Sequence, residues 1–146
     1  QLLSCLFATV QISVCLDQIT DDMKRMLLFW LGFMDEKREI LLHSQIQPEE
    51  PENLYPEVCA ECGNEKILVH YSKGRLADLR DINKKIYYIH AVKEEEVCFR
   101  CNSSDTLKYE VRDCYGNLME SNEVSANQFV IISVPTSGMV EFTRKL

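Results

Sequence analysis

The stretch Cys59-Ala60-Glu61-Cys62, with its echo Cys98-Phe99-Arg100-Cys101 after an interval of 35 residues, decides how this chain is read. A two-residue spacer lets both sulfurs of a pair reach one ion about 2.3 Å away, so two such pairs are the ligand set of a closed tetrahedral Zn²⁺ site. Gly63 follows the first pair where a tight turn is wanted, and Asn102-Ser103-Ser104 follows the second with short polar side chains suited to turn amides. The expectation is one structural zinc held by Cys59, Cys62, Cys98 and Cys101, with no open position for water and so no chemistry at the metal. A thioredoxin-like redox pair would make the second pair superfluous. A zinc deaminase would need a His-x-Glu, which none of His43, His70 or His90 begins. Two disulfides in a secreted domain stay open as a reading, although they leave Cys5, Cys15 and Cys114 as an odd surplus.

Charge is distributed unevenly around these pairs. The chain carries a net charge of −7, which argues against a general nucleic-acid binder. Residues 66–93, however, hold Lys66, Lys73, Arg75, Arg80, Lys84, Lys85 and Lys93 against only Asp78 and Asp81, while residues 1–58 are strongly acidic. Lysine and arginine interleaved with Tyr71, Tyr87 and Tyr88 suit phosphate contacts combined with stacking on an exposed base or duplex end. The candidate RNA contacts are His70, Lys73, Arg75, Lys84, Lys85 and Lys93. The competing reading is a solvated face over an aromatic core, with His70 and His90 as structural histidines.

The remaining segments are read by periodicity. Leu2, Leu3, Leu6, Val10 and Val14 recur at helical spacing, and Asp21-Asp22 cap a second helix through Met26, Trp30 and Met34 to about His43. Both helices are apolar enough to need a neighbour. Residues 45–57, with Pro48, Pro51, Pro56 and four glutamates, read as an extended acidic linker. Strands are expected at 67–71, 86–92, 107–111, 128–134 (buried) and 139–143, with a helical turn at 77–82 and a hairpin bend at 135–138 joining the last two strands. The fold class is therefore mostly β: a zinc-stapled antiparallel domain over 58–146, preceded by a linker and an α-helical segment over 1–44. The longest uncharged run, 2–16, falls short of the roughly 18 residues of a membrane span. A start at Gln1 reads as a piece of a longer protein, and seven cysteines without a secretory leader point to a reducing, cytoplasmic setting.

In the order of its parts the chain resembles the zinc-binding C-terminal regulatory domain of RIG-I-like and Dicer-related RNA helicases. The resemblance lies in a helical connector, a polar linker, a cysteine pair, the His70-Tyr71 pair, a second cysteine pair and the late strand Phe129-Val130-Ile131-Ile132 before a Gly-containing bend. It implies capture of double-stranded RNA or its 5′-phosphorylated end, His70 and the lysines between the cysteine pairs holding phosphates, with the parent's helicase domain as a further partner and as the seat of any ATP hydrolysis. Glu94-Glu95-Glu96 stand where the RIG-I branch carries lysines. The second reading is a protein-interaction module that binds no RNA. Paired carboxylates, an activated nucleophile and a phosphate loop are all missing from the sequence, so no enzyme is expected in this stretch.

Overall fold

A computed structural model of the chain describes residues 2–13, 15–79, 83–102, 105–125 and 127–145, the side chain of Leu16 excepted. The longest helix, α1 (Asp21–Glu36), begins where Thr20 accepts a hydrogen bond from the Met23 amide, a cap one residue before the expected Asp21-Asp22 pair. Those two aspartates instead occupy the first turn, where they complement the helix dipole. After Lys37 and Arg38 the backbone widens to a π-type turn over Glu39–His43, so the helix expected to run to His43 changes its winding before the end. Residues 2–18 form two short 3₁₀ turns, Leu2–Cys5 and Leu16–Gln18, in place of the expected first helix; Val14 lies outside the described residues.

Ten strands follow: β1 (Gln45–Glu49), β2 (Glu57–Cys62), β3 (Glu65–His70), β4 (Leu76–Leu79), β5 (Lys85–His90), β6 (Glu96–Cys101), β7 (Leu107–Arg112), β8 (Leu118–Val124), β9 (Gln128–Ser133) and β10 (Met139–Arg144). They make a seven-stranded sheet in the order β1-β2-β3-β5-β10-β7-β8 and a three-stranded sheet in the order β4-β6-β9. Pairing is antiparallel except between β3 and β5 and between β4 and β6. The acidic segment expected as an extended linker thus contributes an edge strand to the large sheet, followed by a 3₁₀ turn over Pro51–Asn53. The helical turn expected at 77–82 is a strand as far as Leu79, because Ala77 and Leu79 alternate into the core; 80–82 lie outside the described residues. The bend at 135–138 does not close a hairpin: it carries the chain from β9 in the small sheet to β10 in the large one. Gly138 is required there, since a Cβ would sit 2.5 Å from the Arg112 carbonyl oxygen.

Three layers result. Leu68, Tyr88, Val111, Val140 and Phe142 of the large sheet face Ala77, Leu79, Val97, Phe99 and Ile132 of the small one in the main core. On the opposite face of the large sheet, Ala60, Ile67, Val69, Tyr87, Ile89 and Met139 lie under Trp30, Phe33, Ile40 and Leu41. Covered on both sides, β3 and β5 are buried at every position but the first, which explains their unbroken apolar runs. Lys37 closes the helix layer: its ammonium lies 2.7 Å from Glu65 and 4.6 Å above the Tyr87 ring. Burial alone would lower its pKa, but hydrogen bonds to Glu65, Tyr87 and Glu36 outweigh burial and raise it.

Candidate functional site

Both cysteine pairs lie within strands, and this governs where their sulfurs point. Side chains alternate across a strand, so residues three apart face opposite sides. On β2, Cys59 turns into the main core with Leu68, while Cys62 shares the side of Ala60 and is exposed at the β2–β3 turn. On β6, Cys101 is buried in the main core beside Phe99, and Cys98 lies on the outer face. Among the described residues no three His, Cys, Asp or Glu side chains gather where they could hold a metal ion. Burial pushes the Cys59 and Cys101 thiols up to about 11. As folded here, the four cysteines do not fit a tetrahedral zinc site. All seven cysteines are free thiols.

The basic island divides in the same way. β3 and β5 run parallel with Glu65 beside Lys85 and His70 beside His90, so Lys84 and Lys85 lie about 17 Å along the strands from the end that carries His70. Most of the cations are matched by carboxylates from outside the island. Lys84 lies 2.5 Å from Glu61, Lys85 2.8 Å from Glu141 and Lys66 3.0 Å from Glu61. Arg75 grips Glu50 through both terminal nitrogens at 2.6 and 3.2 Å and holds that carboxyl below its ordinary range. Lys73 and Lys93 are exposed and carry no ion pair among the described residues. Arg80 and Asp81 lie outside them. The six candidate contacts therefore form no single free basic surface.

His70 is 2% exposed and His90 1% exposed, and both belong to a polar chain that crosses the end of the sandwich. His70 Nε2 lies 2.6 Å from the Glu57 carboxylate, His70 Nδ1 is 3.3 Å from the Tyr88 hydroxyl, and the same hydroxyl is 3.0 Å from His90 Nδ1. His90 Nε2 donates to the Glu94 carbonyl. With Nε2 carrying its proton, a neutral His90 accepts the Tyr88 hydroxyl proton at Nδ1. Burial first, and repulsion from His70 second among the lowering influences, hold His90 below the ordinary histidine range, consistent with a neutral ring. The chain forms the floor of a cavity of about 270 Å³ beside Arg75, Glu94 and Cys98, but its rings are enclosed. His70 is thus a structural member of a buried network, turned away from solvent phosphate.

The small sheet has an exposed outer face and an open edge. Its inward residues on β9, Ile132 and the partly buried Val130, pack on the main core, while Phe129 is 65% and Ile131 67% exposed. Across the outer face Leu76, Cys98 and Ile131 form one row, Asp78, Arg100 and Phe129 the next, and Glu96 and Ser133 a third. Arg100 is held by Asp78. The Val134 amide donates to the Glu95 carbonyl at 2.7 Å, which fixes the phase of the β6–β9 ladder. Residues 128, 130 and 132 then bond to β6, and the backbone groups of Phe129, Ile131 and Ser133 point away from it. Among the described residues no strand pairs with that edge.

No protein-family model, curated protein or solved structure matches the chain. The resemblance to the RIG-I-like terminal domain stands on the layout of its residues alone.

The outer face of β9 escaped sequence reading for a definite reason. Phe129-Val130-Ile131-Ile132 is an unbroken apolar run, which in a strand normally means burial on both faces, and the expectation of a buried strand followed from that. Only one face is covered. The available signal was the absence of any charge or proline across 128–134 on a strand late in the chain, since edge strands usually carry such protection.

Proposed function

We propose that the chain is a protein-interaction module that takes an extended segment of another protein onto the free edge of β9. The observation that carries this reading is the coincidence of two exposed apolar side chains, Phe129 and Ile131, with backbone groups of the same residues that pair with no strand among the described residues. Main-chain hydrogen bonds to an added strand supply affinity, and alternate side chains supply specificity. An unprotected edge of this composition otherwise invites uncontrolled pairing. A second copy of the chain is a poorer occupant, because two bodies of charge −7 repel. The duplex-RNA reading has less support, since four of the seven island cations are matched by carboxylates.

Selection of random ten-residue peptides against the protein tests the proposal. Enrichment of sequences with alternating apolar residues is expected, with binding lost in Ile131→Pro. That proline removes an amide hydrogen that points to the edge and none from the β6–β9 ladder, so the fold should stand. No enrichment, or binding indifferent to Ile131→Pro, overturns the reading. A dimer in sedimentation that the same substitution dissolves reassigns the edge to a second copy.

A further inference from the structure

The rows of the outer face specify the partner's chemistry as well as its backbone. An added strand would lie antiparallel to β9, the pairing more stable per residue, so its N-terminal end meets Ser133 and its C-terminal end meets Phe129. Opposite Ser133 the partner's outward side chain looks across a small residue toward Glu96, two strands away and therefore about 10 Å from its backbone. A lysine or arginine reaches over serine to that carboxylate, whereas a bulky residue at 133 would block the path. Glu95 and Glu96 are exposed and have no ion pair among the described residues, and Glu94 accepts a hydrogen bond from the Gly74 amide. Among the described residues, the carboxylates Glu95 and Glu96 that carry no ion pair thus lie at the Ser133 end of the edge. Opposite Ile131 and Phe129 the partner's outward positions meet apolar surface, and Arg100 is already engaged by Asp78.

We infer that the segment taken by β9 reads basic-x-apolar-x-apolar from its N-terminal side, with the basic side chain seated on Glu96 across Ser133. This rests on the docking-edge reading, which it sharpens into a direction and a charge. The two fail differently. Two synthetic peptides, acetyl-KTVTFT-amide and acetyl-ETVTFT-amide, are titrated into the isotope-labelled protein while the backbone amide signals of Phe129, Ile131 and Ser133 are followed. The lysine peptide should bind about five-fold tighter than the glutamate peptide at low ionic strength, the margin shrinking as salt is raised. Glu96→Lys should invert the preference, and Ser133→Phe should abolish it while leaving the weaker binding of the glutamate peptide in place. Equal affinity for both peptides, or a preference that Glu96→Lys leaves unchanged, overturns the charge assignment and keeps the docking edge. Failure of both peptides to move these three amides overturns the charge assignment and the docking edge together.

Discussion

The two sheets of this molecule treat apolar strands in opposite ways. The large sheet is covered on both faces, by α1 on one side and by the small sheet on the other, so the unbroken runs of β3 and β5 are accounted for by the fold itself. The small sheet is covered on one face only, yet β9 carries a run just as apolar. Half of that run therefore has no structural role within the chain. An exposed apolar residue, beside backbone groups that pair with no strand among the described residues, is where function should be sought.

The largest effect expected from this contrast separates two phenylalanines of the small sheet. Phe99 is fully buried and meets Tyr88 and Phe142 edge-on or tilted at 4.8 and 5.1 Å. Phe99→Ala should cost about 3–5 kcal/mol of unfolding free energy, measured by denaturant titration. Phe129→Ala should change stability by no more than about 0.5 kcal/mol and still weaken peptide binding. If Phe129→Ala destabilised the chain as Phe99→Ala does, the outer face would be packed and the docking edge lost.

A smaller effect belongs to the polar chain between the sheets. Tyr88→Phe keeps the ring packing but leaves His70 Nδ1 and His90 Nδ1 without their shared partner, which should cost about 1–3 kcal/mol. The same chain gives stability a pH dependence whose sign follows from His90. Its folded pKa is depressed by burial, so below the ordinary histidine value of about 6.5 the unfolded state binds more protons than the folded one. Stability is thus full above that pH and declines as pH falls toward the folded value, by up to about 1.4 kcal/mol per unit. His90→Gln should flatten the slope between pH 6.5 and 5 in urea melts; an unchanged slope would assign the dependence elsewhere.

Much of the large sheet was legible in the sequence because its central strands β3, β5, β10 and β7 are rich in β-branched and aromatic residues, and β9 of the small sheet also falls where such a run occurs. Five strands were hidden: β4 because its short alternation of Ala77 and Leu79 read as a helical turn, and the other four for separate physical reasons. β2 and β6 contain the cysteine pairs, whose spacing suggests a knuckle and masks the alternation of Val97, Phe99 and Cys101. β1 holds Pro48, tolerated only because the strand lies at the edge of its sheet. β8, Leu-Met-Glu-Ser-Asn-Glu-Val, is an exposed edge with one buried residue, Val124, and so shows no periodicity. The basic island was real as a count along the chain but not as a surface, because Glu50, Glu61 and Glu141 arrive from distant positions. Charge along a sequence window carries no information about partners brought in by folding.

The island supplies a further small expectation. Lys84 and Lys85 are part-exposed and paired to Glu61 and Glu141. Reversing both to glutamate removes two such pairs and sets like charges against each other, worth on the order of 1 kcal/mol each. Duplex-RNA retention should be weak in the parent protein and unaffected by the change. Tight retention that falls steeply with salt, and that the double reversal flattens by roughly two units of slope, would return the basic island to the centre of the function.

The smallest effect expected is that of removing metal. In strand geometry each Cys-x-x-Cys pair points its two sulfurs to opposite faces, so no pair can act as a chelate without breaking its strand. β2 and β6 have partners on both sides, β1 and β3 for the one and β4 and β9 for the other, and breaking either would unpair two neighbours at once. A zinc site contributes on the order of 10 kcal/mol to a fold that depends on it, whereas here the same residues already lie in a continuous hydrogen-bonded ladder with Cys59 and Cys101 packed as small apolar groups. Chelation with EDTA should therefore leave the melting temperature unchanged, and elemental analysis should find well under one zinc per chain. Cys98→Ser, on the outer face, should be nearly silent, while Cys101→Ser should destabilise by placing a hydroxyl in the core. One zinc per chain, lost equally in Cys62→Ser and Cys98→Ser, would show that both strands open into knuckles in solution, and the outer face of β6 on which the docking row rests would have to be rebuilt.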